Sequence, residues 1–224
     1  MQRIFLSFGL ILSFIAMFFF FSSYTDDTTT VKITGNDSTA SGLPQIIRPV
    51  TMPTYAEFAG EEMPMSNDDV RERLDRELLV NSYWQSSTLL HLKNMPKYFP
   101  TIERILAEEG LPDDFKYLAV AESGLKNLTS SAGAKGYWQF MKATGRTRGL
   151  TIDSEVDERM HLEKSTRAAC KHLKGLYTRF GSWTLAAAAY NMGEAGLAKN
   201  LKEQRASSLY DLNLNAETMR YVFR

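Results

Sequence analysis

Glu122 is the residue of this chain whose type and spacing best suit it to chemistry. Phe115, Leu118 and Ala119 stand at i, i+3 and i+4, the apolar face of a helix laid on a core. Glu122 is the i+7 member of the same face. A carboxyl group set among Phe115 and Leu118 loses hydration, and lost hydration disfavours the ionised form and raises the pKa. A carboxylic acid that keeps its proton near neutral pH is equipped to be a general acid. Ser123 and Gly124 follow at once and end the helix, leaving Glu122 at a terminus where a cleft can open. Spacing alone also fits a plainer residue: a half-exposed glutamate of the last turn, or one paired with a lysine or arginine.

Other chemistries find less support. Cys170 is the single cysteine, so no intrachain disulfide can form. It falls within an apolar helical stripe, which suits a buried structural thiol rather than a nucleophile. His91, His161 and His172 match no metal-ligand spacing. Asp153, Glu155 and Asp157 alternate like the start of a calcium loop, but Glu158 occupies the position that needs glycine and Lys164 the position that needs the bidentate glutamate. The charges balance, with Lys plus Arg and Asp plus Glu at 26 each. A nucleic-acid partner would call for a clustered basic excess, so none is expected.

The elements that must position Glu122 are helical. Residues 1–21 open with Arg3 and continue as an apolar run from Ile4 to Phe21, between a signal-peptide core and a short membrane span in length. Arg3 before the run and Asp26 and Asp27 after it place the N-terminus in the cytoplasm and the rest across the membrane. Cleavage and retention as an anchor both fit. Residues 22–66, rich in Thr, Ser, Asp, Gly and Pro, read as a disordered linker. Residues 67–224 read as one globular, all-α domain with a loop-lined cleft. Ser66 or Asn67 caps a first helix carrying Val70, Leu74 and Leu78 on one face. The stretch from Trp84 to Pro100 has no clear reading, and Thr101 to Glu109 reads as a helix with Ile102, Ile105 and Leu106 inward. Gly110 and Pro112 make a stop and a start. A small-residue loop from Ser130 to Gly136 leads to Tyr137, Trp138, Gln139 and Phe140; the Gln139 amide is hard to explain as core because it needs partners. Ala169, Leu173, Leu176, Tyr177 and Phe180 form one helical stripe, and Trp183 to Tyr190 a close-packed alanine-rich helix that ends at Asn191-Met192-Gly193. A last helix from Glu217 has only about nine residues before Arg224, short for stable packing, so the chain reads as cut short there.

Four ordered motifs over roughly residues 90–224 resemble the lysozyme-like domain of the bacterial lytic transglycosylases, closest to their membrane-bound type D group. They are LPDDFKYLAVAESGL; GAKGYWQFM with ATGRTRGL; DERMHLEKSTRAACKHLKGLYTRFGSWTLAAAAYNMG; and ETMRYV, with the core motifs spanning 111–221. The resemblance implies a peptidoglycan substrate and no metal or organic cofactor. It matches Glu122 and Ser123 to the family's catalytic Glu-Ser pair, Gly136 to Gln139 to its glycine-x-x-glutamine motif, and Ala189 to Gly193 to its alanine-tyrosine-asparagine-x-glycine motif. The late tyrosine that supports the acid corresponds to Tyr221. Trp138, His161 and Ser182 depart from residues common elsewhere in the family, and no LysM repeat follows.

The resemblance also implies a mechanism. Glu122 would protonate the β-1,4 bond between N-acetylmuramic acid and N-acetylglucosamine and then act as base, leaving a 1,6-anhydromuramyl end. Ser123, Gln139, Tyr190 and Asn191 would position the sugars, and Tyr221 would orient Glu122. No second acid in the motif set has a comparable claim. A lysozyme-type hydrolase of the same bond and a non-catalytic peptidoglycan-binding protein are the competing expectations. The expected partners are peptidoglycan glycan strands and, if the N-terminal run is retained, the inner membrane; the expected location is the periplasm.

Overall fold

The computed structural model describes residues 49–224. The signal-or-anchor reading of residues 4–21 and most of the linker reading lie outside the described residues. Among the described residues, no helix is long and apolar enough to cross a membrane.

A two-residue-strand hairpin, β1 (Glu57–Phe58) and β2 (Glu61–Glu62), comes first, with Glu57 opposite Glu62 and Phe58 opposite Glu61. Eight α-helices follow: α1 Asp68–Tyr83, α2 Gln85–Glu108, α3 Lys116–Ser123, α4 Lys142–Thr147, α5 Leu162–Phe180, α6 Trp183–Met192, α7 Glu194–Gln204 and α8 Ala216–Tyr221. Short 3₁₀ turns cover Asp113–Phe115, Glu158–Met160 and Leu209–Asp211. The all-α expectation holds.

The molecule is assembled around α6. Thr184 through Ala189 are all buried, and a helix apolar on every side belongs inside a core. Its alanines let α5, α7 and α8 approach closely. Helix α5 turns the predicted stripe of Ala169, Leu173 and Leu176 inward, together with Cys170, and packs on α2 as well as α6. Tyr177 departs from the stripe: it is 38% exposed and stacks on Trp183 at 4.0 Å.

Three sequence expectations meet a different structure. The first is the extent of the linker. Within residues 22–66, the hairpin puts Phe58 and Met63 into the core, and the Phe58 ring meets Phe115 edge-on at 5.4 Å. Glu61 accepts hydrogen bonds from Ser182 Oγ (2.7 Å), from the backbone N–H (2.9 Å) and hydroxyl (2.9 Å) of Thr184, and from the Trp183 N–H. It thus reinforces the Ser182 cap on α6, and these bonds hold its pKa low despite burial. An acidic group over the orphan N–H groups of a helix start is stabilising. In a polar stretch this short, the signal is one carboxylate meeting a helix far along the chain, which no periodicity reveals.

The second is α2. It begins at Gln85 and runs through Pro96 and Pro100 without ending. Each proline removes one N–H donor and breaks the pattern by which a helix is recognised, so the helical pattern is legible in the sequence only from Thr101. Burial of Phe99, Ile102, Ile105 and Leu106 holds the helix together.

The third is the last helix, which is short yet firmly placed. Asn215 caps it by accepting from the Thr218 N–H (3.0 Å). Glu77 of α1, only 2% exposed, takes Arg220 Nε at 2.6 Å and Nη2 at 3.1 Å, a two-pronged ion pair. Val222 and Phe223 are buried directly after it, and Phe223 meets Tyr210 edge-on at 6.0 Å.

Candidate active site

Glu122 sits on the last turn of α3, where the 3.6-residue period turns Leu118, Ala119 and Ser123 inward. Gly124 stops the helix with φ +61°, and a Cβ there would stand 3.0 Å from His91 Nε2. The stop leaves Glu122 partly exposed at a helix end. Its partner is Tyr221, whose hydroxyl donates to Glu122 Oε1. Burial pushes Glu122 up to about 7; the Tyr221 bond opposes the rise, and the nearby charge of Glu217 adds to it. Burial and the charge of Glu122 in turn drive Tyr221 well above its ordinary range, so it stays a donor.

The loop after α3 forms the second part of the site. Arg159, 4% exposed, donates from Nη1 to the carbonyls of Gly133 and Phe140, both at 3.0 Å, and from Nε and Nη2 to Asp157 at 2.8 and 2.7 Å. Asp157 is held down at about 2, first by that bond. Gly136 has φ +82° and lies against Arg159; an added Cβ would come 1.9 Å from the Arg159 carbonyl oxygen, so only glycine fits. Trp138 is fully buried and donates from Nε1 to Thr166 Oγ1 at 2.9 Å.

The sequence-derived residues fall into two sets. Ser123 and Tyr190 tie the loop to the helices: the Ser123 hydroxyl contacts the carbonyls of Ala119 (3.1 Å) and Tyr137 (2.9 Å), and the Tyr190 hydroxyl donates to the Trp138 carbonyl at 2.8 Å. Tyr190 is near enough for the charge of Glu122 to raise its pKa, after burial. Gln139, at φ +47°, donates from Nε2 to the carbonyls of Gly136 (2.8 Å) and Leu128 (3.2 Å), which answers the question of its amide partners. Asn191 accepts from Thr218 Oγ1 at 2.8 Å and donates from Nδ2 to Glu217 at 3.3 Å. Gln139, Tyr190 and Asn191 line a groove of about 470 Å³ that also takes in Arg148, His172 and Glu194. A second, more apolar concavity of about 490 Å³ lies on the side of Ala121 and Tyr221, walled by Trp84, Met95, Tyr117 and Phe223. Glu122 follows Ala121 in the chain and bonds Tyr221, both on the wall of this second concavity.

The description "Transglycosylase SLT domain" belongs to the family model that matches residues 100–213. The chain is a member of the transglycosylase SLT family. It is 33% identical over 174 residues, 74% of its length, to "Membrane-bound lytic murein transglycosylase D" of Escherichia coli strain K12 and to the protein of the same description in Escherichia coli O6:H1. It spans 38% of the length of those relatives. A shorter match, 43% identical over 70 residues, joins 30% of this chain to 5% of "Peptidoglycan transglycosylase gp16" of Escherichia phage T7. The SLT match covers Glu122, the Gly136–Gln139 loop and Asn191 but ends before Tyr221.

Sequence reasoning missed three residues around this SLT site. Arg159 ties the loop together, Glu77 fastens α8, and Glu217 stands beside both Asn191 and Glu122. Arg159 follows Asp157 and Glu158, and Glu77 follows Asp75 and Arg76, so in sequence each reads as one charge among others. Glu217 lies four positions before Tyr221, one turn away on α8, and helical spacing from that tyrosine could have found it.

Proposed function

We propose that this chain is a lytic transglycosylase acting on peptidoglycan, with Glu122 as both general acid and general base. The observation that carries the reading is the Tyr221–Glu122 hydrogen bond at a partly exposed helix end, with Glu122 raised to about 7. An acid in that range holds its proton near neutral pH and can part with it. The names of the SLT family and of its relatives support the substrate class.

In the proposed reaction, protonated Glu122 gives its proton to the oxygen of the β-1,4 bond between N-acetylmuramic acid and N-acetylglucosamine. The C1–O bond breaks, and the N-acetyl group of the muramyl sugar helps to stabilise the developing cation. Ionised Glu122 then takes the proton of the muramyl C6 hydroxyl, whose oxygen closes on C1. The product is a 1,6-anhydromuramyl end, water is not consumed, and Glu122 recovers its proton. Gln139, Tyr190 and Asn191 position the sugars along the groove, Ser123 holds the loop that carries Tyr137 and Trp138, and Tyr221 orients the acid.

Glu217 favours a second reading. A pair of carboxylates is what glycoside hydrolysis by water uses, at separations of roughly 5–9.5 Å. Product chemistry separates the two: anhydromuropeptides from purified peptidoglycan support transglycosylation, and reducing muramic acid ends move the assignment to a lysozyme-type hydrolase. Soluble products of neither kind from the folded protein leave a peptidoglycan-binding role. Residues 49–224 are the catalytic domain in this proposal. The apolar run at 4–21 exports it to the periplasm, through a cleaved signal or an anchor in the inner membrane.

A further inference from the structure

The groove that holds Gln139, Tyr190 and Asn191 contains two polar groups that the chemistry at Glu122 does not use. Arg148 lines it as a half-buried cation. The Arg148 Nε is buried with no hydrogen-bond partner, and Nη1 lies 3.7 Å from where a Cβ of Gly175 would stand. The acid on the same groove wall, Glu194, is paired with Arg179 instead. Among the described residues no carboxylate pairs with Arg148. Beside it, His172 has its ring set against Tyr190 at 5.3 Å and Phe140 at 6.3 Å, and its Nδ1 is buried without a partner. Leaving a buried polar group unpaired is unfavourable, and a cation taken out of water without a counter-ion is more so.

We propose that the Arg148–His172 end of this groove is a carboxylate subsite that takes the acidic peptide carried by the glycan strand. A guanidinium presents a planar fork that matches a carboxylate with two parallel hydrogen bonds. Arg148 shares the groove with Gln139 and Asn191, so it is placed to take a charged substituent of a sugar that those residues hold. The proposal rests on the peptidoglycan reading and deepens it, since it makes the enzyme favour strands that bear peptides over naked ones.

The test uses the full chain carrying Glu122→Gln, so that bound fragments are not turned over. Calorimetry compares a disaccharide of N-acetylglucosamine and N-acetylmuramic acid bearing an acidic peptide with the same disaccharide lacking it. The peptide-bearing fragment is expected to bind roughly tenfold tighter, the size of one charge-assisted hydrogen bond. Adding Arg148→Gln brings the ratio of the two affinities close to one, while Arg148→Lys keeps part of the difference, with all variants first shown to be folded by their melting profiles. Equal affinities before Arg148 is changed overturn the subsite, as does a ratio that survives Arg148→Gln or saturation by inorganic phosphate with no preference for the peptide-bearing sugar. Digestion of peptidoglycan by the unmodified chain separates the levels: cleavage with equal affinities sinks the subsite alone, and no cleavage with no binding of either fragment sinks the peptidoglycan reading beneath it.

Discussion

Glu122 carries opposing influences that can be removed one at a time. Its hydrogen bond from Tyr221 favours the ionised form and the charge of Glu217 disfavours it, against a rise caused mainly by burial. Bond breaking needs the protonated acid, so activity is predicted to fall as pH rises through about 7. Tyr221→Phe removes the donor, raises the Glu122 pKa and moves this alkaline limb to higher pH, while kcat falls about tenfold through lost orientation. Glu217→Gln removes a like charge, lowers the Glu122 pKa and moves the limb to lower pH. Rate profiles of the two variants should therefore shift in opposite directions; shifts of the same sign would assign the limb to another group. At this scale the sequence said much about Glu122, because the apolar spacing of Phe115, Leu118 and Ala119 marks its environment. It said little about Glu217, whose relevance depends on α8 folding back beside α3.

The loop from Thr129 to Phe140 and the short helix α3 act together as an element. The loop is held by Arg159, by the Ser123 and Tyr190 hydroxyls and by Trp138, and each bond ends on a backbone carbonyl or a buried hydroxyl. Helix periods were readable because they repeat, so α5 and α6 came through nearly intact. Side chain-to-carbonyl bonds between residues far apart in the chain leave no repeat, which is why the loop-holding bonds of Ser123, Tyr190 and Arg159 are not legible in the sequence. The prolines of α2 obscured a real helix by the reverse effect, a local rule overridden by burial of Ile102 and Ile105. Gly136→Ala tests this element. With φ at +82° and no room against the Arg159 carbonyl, the variant is predicted to lose about 2–3 kcal/mol in urea unfolding. Its kcat falls with the displaced loop.

At the scale of the molecule, the site closes only when the last helix lies beside the first. Tyr221 reaches Glu122 across 99 positions of sequence, and the clamp that brings it there is Glu77 on Arg220. From sequence, so short a helix looked too weak to pack; the clamp, the Asn215 cap and buried Phe223 supply what length does not. Arg220→Ala leaves Glu77 buried with one partner fewer, and about 2–3 kcal/mol of stability should be lost in the same unfolding measurement. A variant of wild-type stability would show that α8 is held by its apolar residues alone. The hairpin at 57–62 fastens the start of the domain to α6 in a comparable way, through Glu61. Together these contacts make one packed body from residues that the chain spreads between Phe58 and Phe223.

The central claim is that a single glutamate both breaks the glycan bond and closes the anhydro ring. The direct test is mass spectrometry of purified peptidoglycan after digestion by the chain and by its Glu122→Gln variant, with folding of both verified by their melting curves. The account predicts 1,6-anhydromuropeptides from the unmodified chain and none from the variant. Anhydro products from Glu122→Gln at the unmodified rate would contradict it.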